Sequence, residues 1–334
     1  MTQVFVHPEI EDYFVEYNFR EAKSDRRIQE KIVEDYYSEK IILIRNLKFD
    51  VDLKFLQGVS FYQKWKWKKL ALSNFELIPA ENHRETPEIV EFVHDVFEGD
   101  WTRFAYFLEQ AKSVNDQIRS AIASLFVDYD FVRRDIIWRF TETRVENLHF
   151  DLDRNCDNLE LIRFYANFDD IPRIWYTAGT FTSLAHAWYR KLNLDQFRDQ
   201  PNDKLLKELT TKVFGDWHAR GRDIVPRHLV LFEPGDVWLT DGRQVTHQVL
   251  YGRRVVSSLF IAPSDTVPNP RWTFKQKVAD LHQSQLLTKD SPIAEEAAEQ
   301  FAKKASIERK KPLDLSVSWE NLPENERNDT IVRI

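Results

Sequence analysis

Glycine, cysteine and methionine are scarce in this chain: of 334 residues eight are Gly, one is Met and one, Cys156, is Cys. A single cysteine forbids an internal disulfide, removes any cysteine-based zinc cluster and fits a reducing compartment; Cys156 has no neighbouring signature of a nucleophile and reads as a packing residue. No Gly-rich phosphate loop and no Gly-x-Ser-x-Gly nucleophile elbow occurs. Long apolar runs are missing as well: Ile41-Ile42-Leu43-Ile44 is among the longest, far short of the roughly 20 residues a transmembrane helix needs. Met1-Thr2-Gln3-Val4 has no basic stretch leading into an apolar core, so no secretory signal is expected. Nor is there an excess of positive charge: 47 Lys and Arg against 54 Asp and Glu give −7, which argues against a nucleic-acid partner. Together these absences predict a cytoplasmic protein.

What the chain has in quantity is aromatic residues, 24 Phe, 11 Tyr and 10 Trp, within a hydrophobic content of 43% and a charged content of 30% that are ordinary for a globule. At about 150 residues per domain the length suggests two units, or one barrel-type domain with helical additions. Residues 8–135 read mostly helical. Arg26–Tyr37 carries a stripe of Ile28, Ile32 and Val33, and Thr102–Phe126 sets Phe104, Phe107, Leu108 and Ala111 on one side. Glu88–Phe97 is a further helix, and Ile41–Leu47 reads as a buried strand between helices. Near Asp135 the texture changes to short segments rich in Ile, Val, Phe, Trp and Tyr. Eight candidate strands follow: Ile136–Thr141, Val145–Leu152, Leu159–Phe168, Pro172–Thr177, His228–Phe232, Asp236–Thr240, Val245–Tyr251 and Arg254–Ala262. Eight is the number a double-sheet jelly roll requires. The predicted fold class is therefore α+β: a double-stranded β-helix (jelly-roll, cupin-like) core over 136–263, with a helical insert at about 181–219. A mostly helical region 1–135 packs on it, and 264–334 supplies C-terminal helices (Trp272–Leu287, Ile293–Lys311) and a polar tail.

Histidine gives the first chemical signal. On a strand, residues two apart share a face, so His-x-Asp can supply two ligands to one metal. With nine His and 54 acids, chance alone supplies one or two His-x-acid triplets; three occur, at His7-Pro8-Glu9, His83-Arg84-Glu85 and His149-Phe150-Asp151. Only the third falls on a candidate core strand. Far downstream, Pro234-Gly235-Asp236 reads as a turn, Val237-Trp238-Leu239 as a strand and Asp241-Gly242 as a second turn, followed by a strand bearing His247. Gly252 then reverses the chain into Arg253 and Arg254. A barrel that sets His247 opposite His149 and Asp151 makes a facial triad of two histidines and one carboxylate, the ligand set of non-haem Fe(II) oxygenases. A buried histidine taken alone is more often a hydrogen-bonded packing residue; it is the whole ordered pattern that favours a metal.

That pattern, His149-Phe150-Asp151 with Pro234-Gly235-Asp236…Asp241-Gly242…His247…Gly252-Arg253-Arg254, resembles the Fe(II)/2-oxoglutarate-dependent dioxygenase superfamily over about residues 136–262. The resemblance implies iron on His149, Asp151 and His247, with 2-oxoglutarate and dioxygen as cosubstrates and ascorbate as an accessory reductant. It also implies an arginine for the far carboxylate of 2-oxoglutarate, since a guanidinium pairs with a carboxylate through two parallel bonds. Arg254 holds the matching position, with Arg253 beside it on the other face. The chain departs from the pattern in its short turn after His247 and in Val256, where a Ser often stands. On Leu159–Phe168 the polar face carries Arg163, Tyr165 and Asn167, candidates for cosubstrate or substrate contacts, or else a solvated outer face.

Within that superfamily the overall layout resembles the Kdo 3-hydroxylases, which hydroxylate 3-deoxy-D-manno-oct-2-ulosonic acid (Kdo) at C3 in the lipopolysaccharide inner core. The partner implied is a small molecule or glycolipid carrying a carboxylate sugar. Arg139, Arg144, Arg163 and Arg173 could meet carboxylates, and Trp175-Tyr176 and Trp188-Tyr189 could stack on sugars. The Trp- and Lys-rich stretch Phe61–Leu70 suits a helix with a basic edge and Trp in the core, or else peripheral contact with the cytoplasmic face of a bacterial inner membrane. The run from Lys303 to Lys311, interleaved with glutamates, reads as a charged helix face. Three alternatives stay open: a hydroxylase of an amino acid, peptide or other small acid; a non-catalytic cupin-like sugar-binding protein; and a metal-dependent isomerase on the same barrel.

Overall fold

Strands from both ends of the chain share two sheets. A computed structural model describes residues 2–61, 67, 70, 71, 73–144, 147–152, 157–215 and 226–287. Cys156, the helix expected at Ile293–Lys311, most of Phe61–Leu70 and the end of the 181–219 insert lie outside these residues. The strands are β1 (Gln3–Phe5), β2 (Phe14–Asn18), β3 (Ile41–Arg45), β4 (Arg133–Arg139), β5 (Thr143–Arg144), β6 (Leu159–Asn167), β7 (Arg173–Thr177), β8 (His228–Phe232), β9 (Val237–Leu239), β10 (Gln248–Gly252) and β11 (Val255–Pro263). One sheet has the order β1-β8-β7-β10-β5, the other β2-β3-β9-β6-β11-β4. All neighbours run antiparallel except β2 and β3. The helices are α1 (Phe19–Ala22), α2 (Arg26–Tyr37), α3 (Leu53–Gln57), α4 (Ser73–Glu76), α5 (Pro87–Phe97), α6 (Trp101–Leu125), α7 (Phe181–Trp188), α8 (Asn202–Phe214) and α9 (Phe274–Leu287).

The pleat of β6 sets the layers. Ile162, Phe164 and Ala166 point into a core shared with the helices, where α2 supplies Ile32 and Tyr36, α5 supplies Phe92, and α6 supplies Phe104, Phe107, Ala111, Val114, Ile118, Ile122 and Leu125. Spacings of three and four along α6 give one continuous apolar stripe. The helix starts at Asp100, whose carboxylate accepts from the amides of Thr102 and Arg103 at 3.0 and 2.9 Å. The opposite face of β6 turns toward the other sheet: Tyr165 packs with Trp175, Val230, Phe232, Trp238, Val249 and Val255. A third cluster joins α7, α8 and α9 to Leu148 and Phe150.

Three differences from the sequence reading have physical causes. First, the N-terminal stretch is less helical than its composition suggests. Phe14–Asn18 is a strand because it lies parallel to Ile41–Arg45, a pairing that local periodicity does not encode. Gln3–Phe5 likewise pairs with Leu229–Leu231. Second, no ladder spans Val145–Leu152 among the described residues: β5 ends at Arg144, and His149 joins His247 through an isolated bridge. The strand expected from Val245 begins at Gln248, with bridges at Val245 and His247 before it. Third, Trp188 and Tyr189, expected near the barrel mouth, are buried in the α7–α9 cluster. Phe61, Trp67 and Leu70 are buried in the helical core, the placement that the core reading of that stretch expects, with the Trp67 indole donating to Asp95 Oδ2 at 3.0 Å. Among the described residues no helix is long and apolar enough to cross a membrane.

Candidate metal centre

Two backbone hydrogen bonds join the chain where the three candidate ligands meet. His149 N–H donates to His247 O at 3.1 Å, and His247 N–H donates back to His149 O at 3.0 Å. Two residues on, Asp151 N–H donates to Gly242 O at 2.7 Å, so the Asp241-Gly242 turn becomes the floor on which the carboxylate rests. Gly242 is required there: a Cβ would overlap Asp151 Oδ2 and press on His247. The turn is held by a buried ion pair in which Arg243 grips Asp241 (Nη2–Oδ2 2.8 Å) and donates to Leu159 O at 3.0 Å.

His149 Nε2 and His247 Nε2 lie 3.9 and 3.8 Å from Asp151 Oδ1, and the ligand atoms of the three residues all fall within 4.8 Å of one another. Both rings have their other nitrogen on a backbone carbonyl, His149 Nδ1 to Asn147 O at 2.6 Å and His247 Nδ1 to Val245 O at 3.4 Å. An Nδ1–H that donates to a carbonyl leaves Nε2 with a lone pair for a cation. The second carboxylate oxygen is held as well: Arg163 Nε lies 3.2 Å from Asp151 Oδ2. Burial works to raise the Asp151 carboxyl, but Arg163, with His247, His149 and Arg139 behind it, outweighs that and keeps it well below the usual carboxylate range. Trp175 covers one side of the site, stacked on the His247 ring at 5.3 Å and 27°. The result is two imidazoles and one carboxylate on a partly buried rim, the donor set of a facial triad.

The other candidates divide. Arg163 is at the site, on Asp151. Tyr165 lies in the core between the sheets, stacked on Trp238 at 5.3 Å and edge-on to Trp175. Asn167 is structural: its amide donates to Ile171 O and Phe232 O at 3.1 and 2.9 Å, and its oxygen accepts from Asp169 N–H at 3.0 Å. Arg254, expected on the cosubstrate, is not brought to the triad. Its Nε donates to Val59 O at 2.8 Å and its Nη1 to the buried Asp169 at 3.0 Å. Arg253 is on Asp169 too (2.8 Å). Arg173 is buried against Gly252, Tyr176 lies under the Arg227 guanidinium at 3.9 Å, and the side chain of Arg144 lies outside the described residues. The sequence reading missed the floor formed by Asp241, Gly242 and Arg243, although the Asp-Gly turn was visible in it.

No protein-family profile matches the chain, and no curated protein matches it by sequence. Among solved structures its fold is similar to that of a non-haem Fe(II) alphaketoglutarate dependent dioxygenase. The structures concerned are of the Kdo hydroxylase KdoO. The apo form is 15% identical, with a TM-score of 0.58 over 82% of this chain and 96% of that one. The complex with alphaketoglutarate and Fe(III) is 14% identical, with a TM-score of 0.58 over 81% and 96%. The complex with succinate and Fe(III), also 14% identical, has the same TM-score over 82% and 96%.

Proposed function

We propose that this chain is an Fe(II)/2-oxoglutarate-dependent dioxygenase that hydroxylates a C–H bond, with His149, Asp151 and His247 as the iron ligands. The observation that carries this reading is the convergence of His149 Nε2, His247 Nε2 and Asp151 Oδ1 while the remaining polar atom of each side chain is tied down by a carbonyl or by Arg163. His149, Asp151 and His247 would hold the metal from one side, so that cosubstrate and dioxygen could reach it from the other. The strand orders β4-β11-β6-β9 and β5-β10-β7-β8 within the two sheets support reading the core as a double-stranded β-helix. The space between the sheets also suits an anionic cosubstrate. Arg139 Nε, the indole nitrogens of Trp175 and Trp238, and Thr240 Oγ1 are buried there without an acceptor among the described residues. Buried donors without acceptors are costly, and a dicarboxylate would satisfy them.

Iron with 2-oxoglutarate and dioxygen would supply the oxidising chemistry, the cosubstrate leaving as succinate and carbon dioxide. The chain's own part is to orient and to exclude water. Arg163 holds Asp151 so that one oxygen faces the imidazoles, and Trp175 shields His247 from solvent. The likeness to KdoO supports the finer proposal that the substrate is a carboxylate sugar, Kdo in a lipid-linked acceptor hydroxylated at C3.

The class is tested by adding Fe(II) and then 2-oxoglutarate to the purified protein without oxygen. A visible charge-transfer band is expected in wild type and not in His149→Ala or Asp151→Ala. Iron binding with no band would favour an isomerase or a sugar-binding protein. The substrate is tested by mass analysis of Kdo glycolipid after incubation; 3-hydroxylated sugar that persists with His247→Ala would overturn the assignment.

A further inference from the structure

The turn on which Asp151 rests is itself held from distant parts of the chain. Asp241 accepts on Oδ1 from the amide of Arg243 at 2.9 Å, and on Oδ2 from Arg243 Nη2 and Gln244 Nε2, both at 2.8 Å. Gln244 is fully buried. A carboxamide donates at one end and accepts at the other, so with its nitrogen on Asp241 its oxygen faces away from the turn. There Gln244 Oε1 accepts from Lys277 Nζ of α9. The same ammonium donates to Tyr37 O at the end of α2 and to Glu39 Oε1 at 3.2 Å. Its three N–H groups are thus all in use. Glu39 in turn accepts from the amide and hydroxyl of Thr182, at 3.0 and 2.7 Å, in the first turn of α7.

This arrangement admits one orientation of Gln244. Rotated by half a turn, the amide would set its NH2 against an ammonium and its oxygen against a carboxylate. Without Lys277 the buried Oε1 loses its donor, which is costly, and the side chain gains a reason to leave Asp241. A second contact of α9 reaches the other side of the turn: the Arg243 guanidinium lies over the Phe274 ring at 5.1 Å, and that ring packs edge-on against Phe181 at 4.9 Å. Between the two contacts lies Gly242, whose carbonyl takes the Asp151 amide at 2.7 Å.

We infer that Lys277 is a positioning residue for the metal centre: through Gln244 and Asp241 it fixes the turn that carries Asp151. The C-terminal helix, thirty residues beyond His247, thereby completes a site to which it gives no ligand. The inference rests on the reading of His149, Asp151 and His247 as metal ligands.

The test uses the full chain, with Co(II) titration for the metal and amide hydrogen exchange on the metal-free protein for the turn. Lys277→Ala should weaken Co(II) by roughly tenfold and speed exchange of the Asp151 amide, while the buried amides of α6 keep their protection. Propylammonium, which replaces the atoms removed, should restore much of the Co(II) affinity. Gln244→Met leaves Lys277 on Tyr37 and Glu39 but cuts the route to Asp241, and should weaken Co(II) to a similar degree. Unchanged Co(II) affinity in either variant overturns the inference. So does a loss accompanied by equal acceleration of the α6 amides, which would make Lys277 a general strut of the fold. A wild type that binds no Co(II) sinks the metal reading, and this inference with it.

Discussion

Two arginine–carboxylate clusters, one at Arg163 within β6 and one at Asp169 just beyond its end, have opposite characters. At one, Asp169 is 1% exposed and held by Arg253, Arg254 and the backbone of Arg253, with Asn167 closing the loop behind it. At the other, Asp151 gives one oxygen to Arg163 and turns the second toward two imidazoles, with its side chain 21% exposed. The chemistry is shared, but only the Asp151 cluster leaves a pair of lone-pair nitrogens and an oxygen unused. A satisfied cluster fixes a loop, whereas one left short by a cation fixes a binding site.

The largest effect should come from breaking the open cluster. His247→Ala or Asp151→Ala should abolish Fe(II) and Co(II) binding in a metal titration while the melting temperature of the metal-free protein changes little. Breaking the closed cluster should do the reverse. Asp169→Ala leaves two arginines without their acceptor and should cost about 3–5 kcal/mol in chemical unfolding, with the metal affinity of the folded fraction intact. Loss of metal affinity at wild-type stability would erase the contrast.

Acid probes a second closed site. His228 is fully buried, accepts from the amide of His7 on Nδ1 (2.9 Å) and meets Glu11 O with Nε2 (3.1 Å), an arrangement only the neutral ring can make. Burial pulls its pKa down to about 4. Since the unfolded ring titrates near 6.5, its contribution is present above that pH and is lost as pH falls toward 4, amounting to about 3 kcal/mol. His228→Gln should flatten that part of the stability profile; an unchanged slope would assign it to another group. The smallest effect sharpens the comparison: Arg163→Met frees one oxygen of Asp151 and should weaken metal binding by roughly ten- to a hundredfold without preventing it. No change in Co(II) affinity would make Arg163 a mere neighbour.

What could be read in advance follows the range of the interaction. The stripe on α6 and the alternation of β6 are local patterns, and the structure carries them where the residues predict; the triplet His149-Phe150-Asp151 meets His247 as expected, but from an isolated bridge and not from a strand. Arg254 is different. Its fate depends on Asp169, eighty-five positions away, and a motif that fixes its place after Gly252 says nothing of a carboxylate arriving from β6. The strands Gln3–Phe5 and Phe14–Asn18 escaped notice for the same reason: each is short, and its partner makes it a strand.

The reciprocal bond between His149 and His247 closes about a hundred residues of chain with two contacts. A cation shared by those residues would act on the unfolded chain as much as on the folded one, because a cross-link spanning so long a loop removes more conformational freedom than a short one does. Metal should then slow the unfolding of both sheets together, as a clasp does for a strap.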